Sequence, residues 1–186
     1  MQPTSTPDGI YPRASSSAVL ALQADSARVI IHDMKVALGS DHAGFALKEA
    51  IARFLTEEKV SFKDFGVHST DRADYPDIGI PVAEAVANGE FDRGILVCAT
   101  GIGMSILANK VPGIRAALCT NVDCALLSRS HNDSNILVLG GRIIDPKTAI
   151  EITKTWLTME FSGDENHVRR LRKIAQLEKK YGKAGG

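Results

Sequence analysis

The sequence has no surplus of either charge: Lys and Arg together number 22, as do Asp and Glu, in a chain of 186 residues. With no global field there is no general means of recruiting nucleic acid or an anionic membrane, so any anion must be held by local arrangement. Long apolar runs are missing too, and none approaches the roughly 18 residues that span a bilayer. Cysteine is scarce. Cys98, Cys119 and Cys124 form an odd set without the paired spacing of a disulfide framework. That pattern fits free thiols in a reducing compartment, hence a cytoplasmic location. The absence of a CxxC pair removes a thioredoxin-like redox role, and no HExxH or Cys/His-rich spacing asks for a metal.

What is present is an ordinary globular composition, 44% hydrophobic and 24% charged, long enough to bury one substantial core. Residues 1–33 read differently, because "MQPTSTPDGIYPRASSS" is rich in Pro, Ser and Thr and has no apolar period. A disordered extension is expected there, followed by a single domain over 34–186. Organellar targeting by the extension stays open, although Asp8, Asp25 and Asp33 are out of place in a transit sequence.

From Lys35 onward short apolar runs alternate with amphipathic stretches. "KVALGS", "VSFKDFG", "RGILVC", "IRAALC" and "NILVLGG" read as strands. Helices are expected at "AGFALKEAIARFLTEE", "PDIGIPVAEAVANG", "MSILANK", "NVDCALLSRS" and "DPKTAIEITKTWLTM", the last with Asp145 as N-cap and Pro146 at its first position. A charged helix, "HVRRLRKIAQLEKKYG", closes the chain. Five β/α units with continuous apolar strands imply an α/β fold: a Rossmann-like, doubly wound, five-stranded parallel sheet with helices on both faces.

Ligands of such sheets bind beyond the carboxyl ends of the strands. "GSDHAG", "VCATGIG" and "GGR" leave three strands there, and "SRSHND" stands just before the fifth. The expectation is that Asp41, His42, Cys98, Thr100, His131, Asn132 and Arg142 gather at one edge, with Tyr75 of "RADYP" in reach. Each has a bland alternative. Cys98 can be a small buried hydrophobe, Asp41 a helix cap, His131 and Asn132 an ordinary helical turn, and Arg142 a solvated charge. "ATGIGMS" is a weak nucleotide signal, since Ile106 stands where the third glycine of the fingerprint belongs and the turn follows the third strand. Its glycines and amides still suit an anion. A thiolate beside such donors can act as a nucleophile, or as a base that removes a proton next to a carbonyl while the amides hold the enediolate oxygen.

The segments "GSDHAGFALKE", "DYPD", "VCATGIGMSILANKVPGIRAAL", "SRSHNDSNILVLGGR" and "HVRRLRKI" resemble ribose-5-phosphate isomerase type B, a family that also includes galactose-6-phosphate isomerase subunits. The resemblance runs from Met34 to Tyr181. It implies a homodimer or dimer of dimers with shared sites, acting as an aldose–ketose isomerase on D-ribose 5-phosphate without metal or cofactor. Carried over, Cys98 is the base that moves a proton between C2 and C1 through a cis-enediolate, and Thr100 helps exchange the hydroxyl and carbonyl protons. The amides of Ala99, Gly101, Ile102 and Gly103 form the anion hole. Asp41 and His131 take roles in ring opening and hydroxyl binding; His42, Arg142 and Arg170 bind phosphate; Tyr75 and Asn132 contact substrate. Relatives lacking the cysteine use a carboxylate a few residues on, where this chain reads "GMSI".

One departure matters. Asn166 of "GDENH" replaces an arginine common in the family, which would cost phosphate binding about 1–3 kcal/mol if that contact is charge-assisted. Arg169, Arg172 or Lys173 can compensate, or the substrate is a four- or six-carbon sugar phosphate or a free sugar. His131 leans against the galactose-6-phosphate branch. A chain that only binds a sugar phosphate, as a sensor or non-catalytic subunit, is the remaining alternative, and it has no need of a thiol base. Nucleic-acid binding by "RRLRK" is opposed by Glu178 and the charge balance.

Overall fold

The computed structural model describes residues 33–181. The expected disordered extension therefore falls almost entirely outside the described residues, as do residues 182–186. Five parallel strands form one sheet: β1 (Lys35–Ser40), β2 (Ser61–Asp64), β3 (Arg93–Cys98), β4 (Ala116–Leu118) and β5 (Ile136–Gly140), in the order β2-β1-β3-β5-β4. The helices are α1 (Phe45–Glu57), α2 (Tyr75–Ala87), α3 (Ile102–Ala108), α4 (Val122–Ser130), α5 (Pro146–Thr158) and α6 (Glu165–Tyr181).

Alternation along the buried strands divides the core by face. Val36, Leu38, Ile95, Val97, Leu137 and Leu139 pack with α1, α4 and α5, whereas Ala37, Leu96, Cys98, Ile136 and Val138 pack with α2 and α3. Both faces are covered, so the doubly wound reading holds. The chain reverses direction between β1 and β3, which are neighbours in the sheet, and leaves a crevice above their carboxyl ends.

Several boundaries differ from expectation, and β4 keeps only Ala116–Leu118 of "IRAALC". β2 stops at Asp64, yet Phe65 and Val67 go on donating N–H bonds to Leu38 and Ser40 of β1, outside the regular ladder. α3 starts at Ile102, two residues early, because Gly101 turns the chain with a left-handed φ of 78°. α6 starts at Glu165 and buries no residue. The expected cap of α5 is present: Asp145 accepts from the N–H of Thr148, and Pro146 opens the helix.

Trp156 of α5 is fully buried, and its indole N–H donates to Ser134 Oγ at 2.8 Å, tying the helix to the turn before β5. Trp156→Ala is expected to destabilise the fold by about 3–5 kcal/mol, as cavities in place of large buried aromatics do. Urea unfolding followed by circular dichroism checks this; a loss under ~1 kcal/mol would mean the site collapses around the cavity.

Candidate active site

Beyond the strand ends three loops are zipped together. The N–H of Asp41 bonds Val97 O at 3.2 Å, that of Gly141 bonds Cys98 O at 2.8 Å, and that of Arg142 bonds Ala99 O at 2.9 Å. Asp41, Cys98 and Arg142 consequently flank the crevice between β1 and β3. Cys98 is 5% exposed, and its Sγ accepts the N–H of Gly101 at 3.2 Å. The turn that delivers this donor needs glycine. φ is positive there, and a Cβ on Gly101 would sit 2.4 Å from Leu118 Cδ1. Thr100 is exposed at the tip, its hydroxyl accepting from Ile102 N–H at 3.3 Å. The first-turn N–H groups of α3 have no acceptor within the helix; that of Ile102 is taken by the Thr100 hydroxyl.

The remaining groups close in from β1 and α2. Asp41 is buried, and one carboxylate oxygen accepts the N–H of Gly44 at 2.9 Å. Asp41 is not the helix cap: Gly44 is the N-cap residue of α1, which has no side-chain cap, and Asp41 closes the turn before it with Oδ1 alone. His42 Nδ1 lies 3.2 Å from Ala73 O and 3.3 Å from Ala73 N, so the ring tautomer decides which it bonds. Tyr75 opens α2 with its ring over Gly103, where a Cβ would meet Cζ at 2.9 Å. Tyr75 therefore does reach the glycine turn.

His131 and Asn132 do not join this group within one chain, which corrects the expectation of a single edge. α4 runs antiparallel to the strands, so its last residues return to the amino end of the sheet. Arg115, just before β4, bonds Asn132 O at 3.1 Å and Asp133 O at 2.8 Å, and Gly94 of β3 bonds Asn135 O at 2.9 Å. The five residues of β5 separate the two edges by about 16 Å. The start of α6 lies with His131. The ring of His167 is 4.2 Å from that of His131, its Nδ1 is 3.0 Å from Ser162 Oγ, and Ser162 N–H bonds Ser130 O at 3.0 Å. Arg170, one turn further along α6, is exposed.

Two residues here were not singled out in the sequence. His167 was readable within "HVRR" as a second imidazole. Asp133 holds the turn of His131 and Asn132 with a positive φ of 45°, and its carboxylate pairs with Arg129 at 2.7 Å and Arg115 at 2.8 Å. Arg93 is pushed down to about 10, first by burial and then by repulsion from Arg129. Arg115 and Arg129 share the Asp133 carboxylate, and Arg93 with Asp92 stands at the same edge. Asn166 Oδ1 accepts from Arg169 at 2.8 Å and so directs that guanidinium.

Of the other thiols, Cys119 is buried and pushed up to about 11 by desolvation, whereas Cys124 is exposed. Among the described residues no group of three or more His, Cys, Asp or Glu is gathered as metal ligands would be, and no helix is long and apolar enough to cross a membrane. Ile102, Ile106 and Ile143, near the thiol, are each more than half exposed.

Comparison with known proteins identifies the family and the fold. Residues 36–174 match the Ribose/Galactose Isomerase family. The Ribose-5-phosphate isomerase B of Escherichia coli is 44% identical over 146 residues, 78% of this chain and 97% of that protein. The D-erythrulose-4-phosphate isomerase of Pectobacterium atrosepticum is 40% identical over 131 residues, 70% of this chain and 86% of that protein. The solved Ribose-5-Phosphate Isomerase B of Clostridium thermocellum superposes with a TM-score of 0.78 at 54% identity, over 80% of this chain and 99% of that one.

Proposed function

Because the chain belongs to the ribose/galactose isomerase family, a family of sugar phosphate isomerases, we propose that it interconverts D-ribose 5-phosphate and D-ribulose 5-phosphate with Cys98 as the base. The observation that carries this reading is the Cys98 sulfur at the sheet's switch point, with the Gly101 N–H on it and a glycine turn beside it. In the open-chain aldose the Cys98 thiolate removes the proton on C2. The resulting cis-enediolate carries its negative charge on oxygen, where the amides of residues 99–103 receive it. The Thr100 hydroxyl passes a proton from O2 to O1, and the Cys98 thiol returns its proton to C1. The ketose leaves with the same atoms, and no oxidant or cofactor is consumed.

Ring opening precedes this. It takes a proton from the anomeric hydroxyl and gives one to the ring oxygen, a task for Asp41 together with His131. Since those two residues occupy opposite edges, the imidazole must come from a second copy. We place His131, Asn132 and Arg170 of one subunit over the thiol crevice of the other, in a homodimer or dimer of dimers. His42 and Arg142 then meet Arg170 at the phosphate. The exposed isoleucines beside Cys98 and the uncovered length of α6 are the surfaces such a partner would bury. A cytoplasmic setting suits the free thiols. Incubation with D-ribose 5-phosphate in EDTA tests the reading: ketose should form, and the same equilibrium should be reached from D-ribulose 5-phosphate. Failure to convert either sugar would contradict it.

A second reading, isomerisation of a four- or six-carbon sugar phosphate, is favoured by Asn166 and by the resemblance to an enzyme named for a four-carbon substrate. Comparing kcat/KM across sugar lengths separates the two, and Asn166→Arg tests whether the missing charge limits phosphate binding. If ribose 5-phosphate is the substrate, the added charge should lower its KM about tenfold, the worth of one charge-assisted contact. An unchanged or higher KM would mean that Arg169, held by Asn166, already supplies the charge.

A further inference from the structure

The proposed reaction leaves one buried charge without a task. Lysine is almost never fully buried unless paired, yet Lys48 of α1 has 0% exposure. Its ammonium donates to Val67 O at 2.7 Å, pairs with Asp64, and lies 3.3 Å from Glu49. Asp64, the last residue of β2, turns its other oxygen to the N–H of Gly66 at 2.8 Å. Gly66 O accepts from Ser40 N–H and Ser40 O accepts from Val67 N–H, both at 2.7 Å. Segment 64–67 is thus clamped onto the last residue of β1, and the next two residues are Asp41 and His42.

The same segment leads into the loop that ends at Ala73, against which His42 Nδ1 rests, and then to Tyr75, whose ring covers Gly103. Three groups of the crevice hang from this clamp. Stability gives little reason for an ion pair here, since packed apolar side chains often replace a buried pair without loss.

We propose that Lys48 and Asp64 are positioning residues: their ion pair fixes segment 64–67 on β1 and thereby sets where Asp41, His42 and Tyr75 meet the substrate. This rests on the isomerase reading above. Cys98 belongs to β3 and is held by Gly101 and Gly141, so the clamp acts on substrate placement and leaves the thiol itself alone.

The test compares wild type with Lys48→Met, Asp64→Asn, the apolar pair Lys48→Met/Asp64→Leu, and Lys48→Arg. Thermal melting, kcat, KM and peptide-resolved iodoacetamide labelling of Cys98 are measured for each. The apolar pair should stay folded, melting somewhat below wild type because Val67 O and Gly66 N–H lose their partners, and label at the wild-type rate, yet lose about 10²-fold in kcat/KM, the scale of a displacement near 1 Å. Lys48→Arg, which keeps the charge and both acceptors in reach, should recover part of that loss. Wild-type kcat/KM in a folded variant without the charge would overturn the proposal, and so would a matching change in Cys98 labelling, which marks general disturbance. Should Lys48→Met fail to fold, Asp64→Asn is judged by the same criteria. A wild type inactive on every sugar phosphate would instead remove the isomerase reading and the clamp's role with it, an outcome distinct from active wild type with equally active variants.

Discussion

Cys98→Ala is expected to lower kcat/KM for D-ribose 5-phosphate by about 10⁴-fold, at the upper end of what a positioned general base contributes. On the proposed reading the thiol carries the proton between adjacent carbons, Asp41 serves ring opening, and the Thr100 hydroxyl is too weak a base to replace the thiol. The substitution removes a single buried sulfur, so the fold should persist with a modest fall in melting temperature. Binding should persist as well, since the amides of the glycine turn are backbone. D-Ribose 5-phosphate should therefore still raise the melting temperature of the variant, and loss of rate with retained binding separates a missing base from a damaged site. Comparable rates in both proteins would return Cys98 to the core, where its burial and its neighbours Leu96 and Met104 already give it a bland place.

The second large effect concerns the divided site. Cys98→Ala and His131→Asn should each be nearly inactive alone, and mixing them should restore activity. In a mixed dimer one site combines both defects, while the other joins an intact Cys98 to an intact His131. With random reassortment about half of the dimers are mixed and each has one working site of two, so about a quarter of wild-type activity should return. The recovery should appear only after the subunits are dissociated and reassembled. A mixture that stays inactive after proven exchange would place both residues in the same subunit's site, against the roughly 16 Å spanned by β5.

The layout of the fold was legible because the strands are continuous apolar runs and the helices carry stripes at spacings of 3 and 4. Strand order and the crevice followed less directly, since β5 rather than β4 lies beside β3 and no local pattern encodes that exchange. "GSDHAG", "VCATGIG" and "GGR" were assigned to the correct edge because each leaves a strand. "SRSHND" enters one, and so lies at the other end. A polar motif beside a strand suggests the ligand-binding edge, but chain direction decides at which end of the sheet it lies. Lys48 had a signal of its own, as it falls between Phe45, Ile51 and Leu55 on the inward stripe of α1. α6 buries no residue, yet its Leu171, Ile174 and Leu177 face Ile114 and Ala117 of the same chain across a groove, and Glu178 accepts the N–H of Gly113 at 3.3 Å.

The central claim is most directly tested by kcat/KM of the wild-type protein, in EDTA, for D-ribose 5-phosphate beside a four-carbon and a six-carbon sugar phosphate. The five-carbon sugar should be turned over best, with the six-carbon one disfavoured where Tyr75 and, in the proposed dimer, the second copy's His131 bound the crevice. Preference for either of the other lengths by more than about tenfold, a difference near 1.4 kcal/mol in transition-state binding, or no ketose from any of them, would contradict the account.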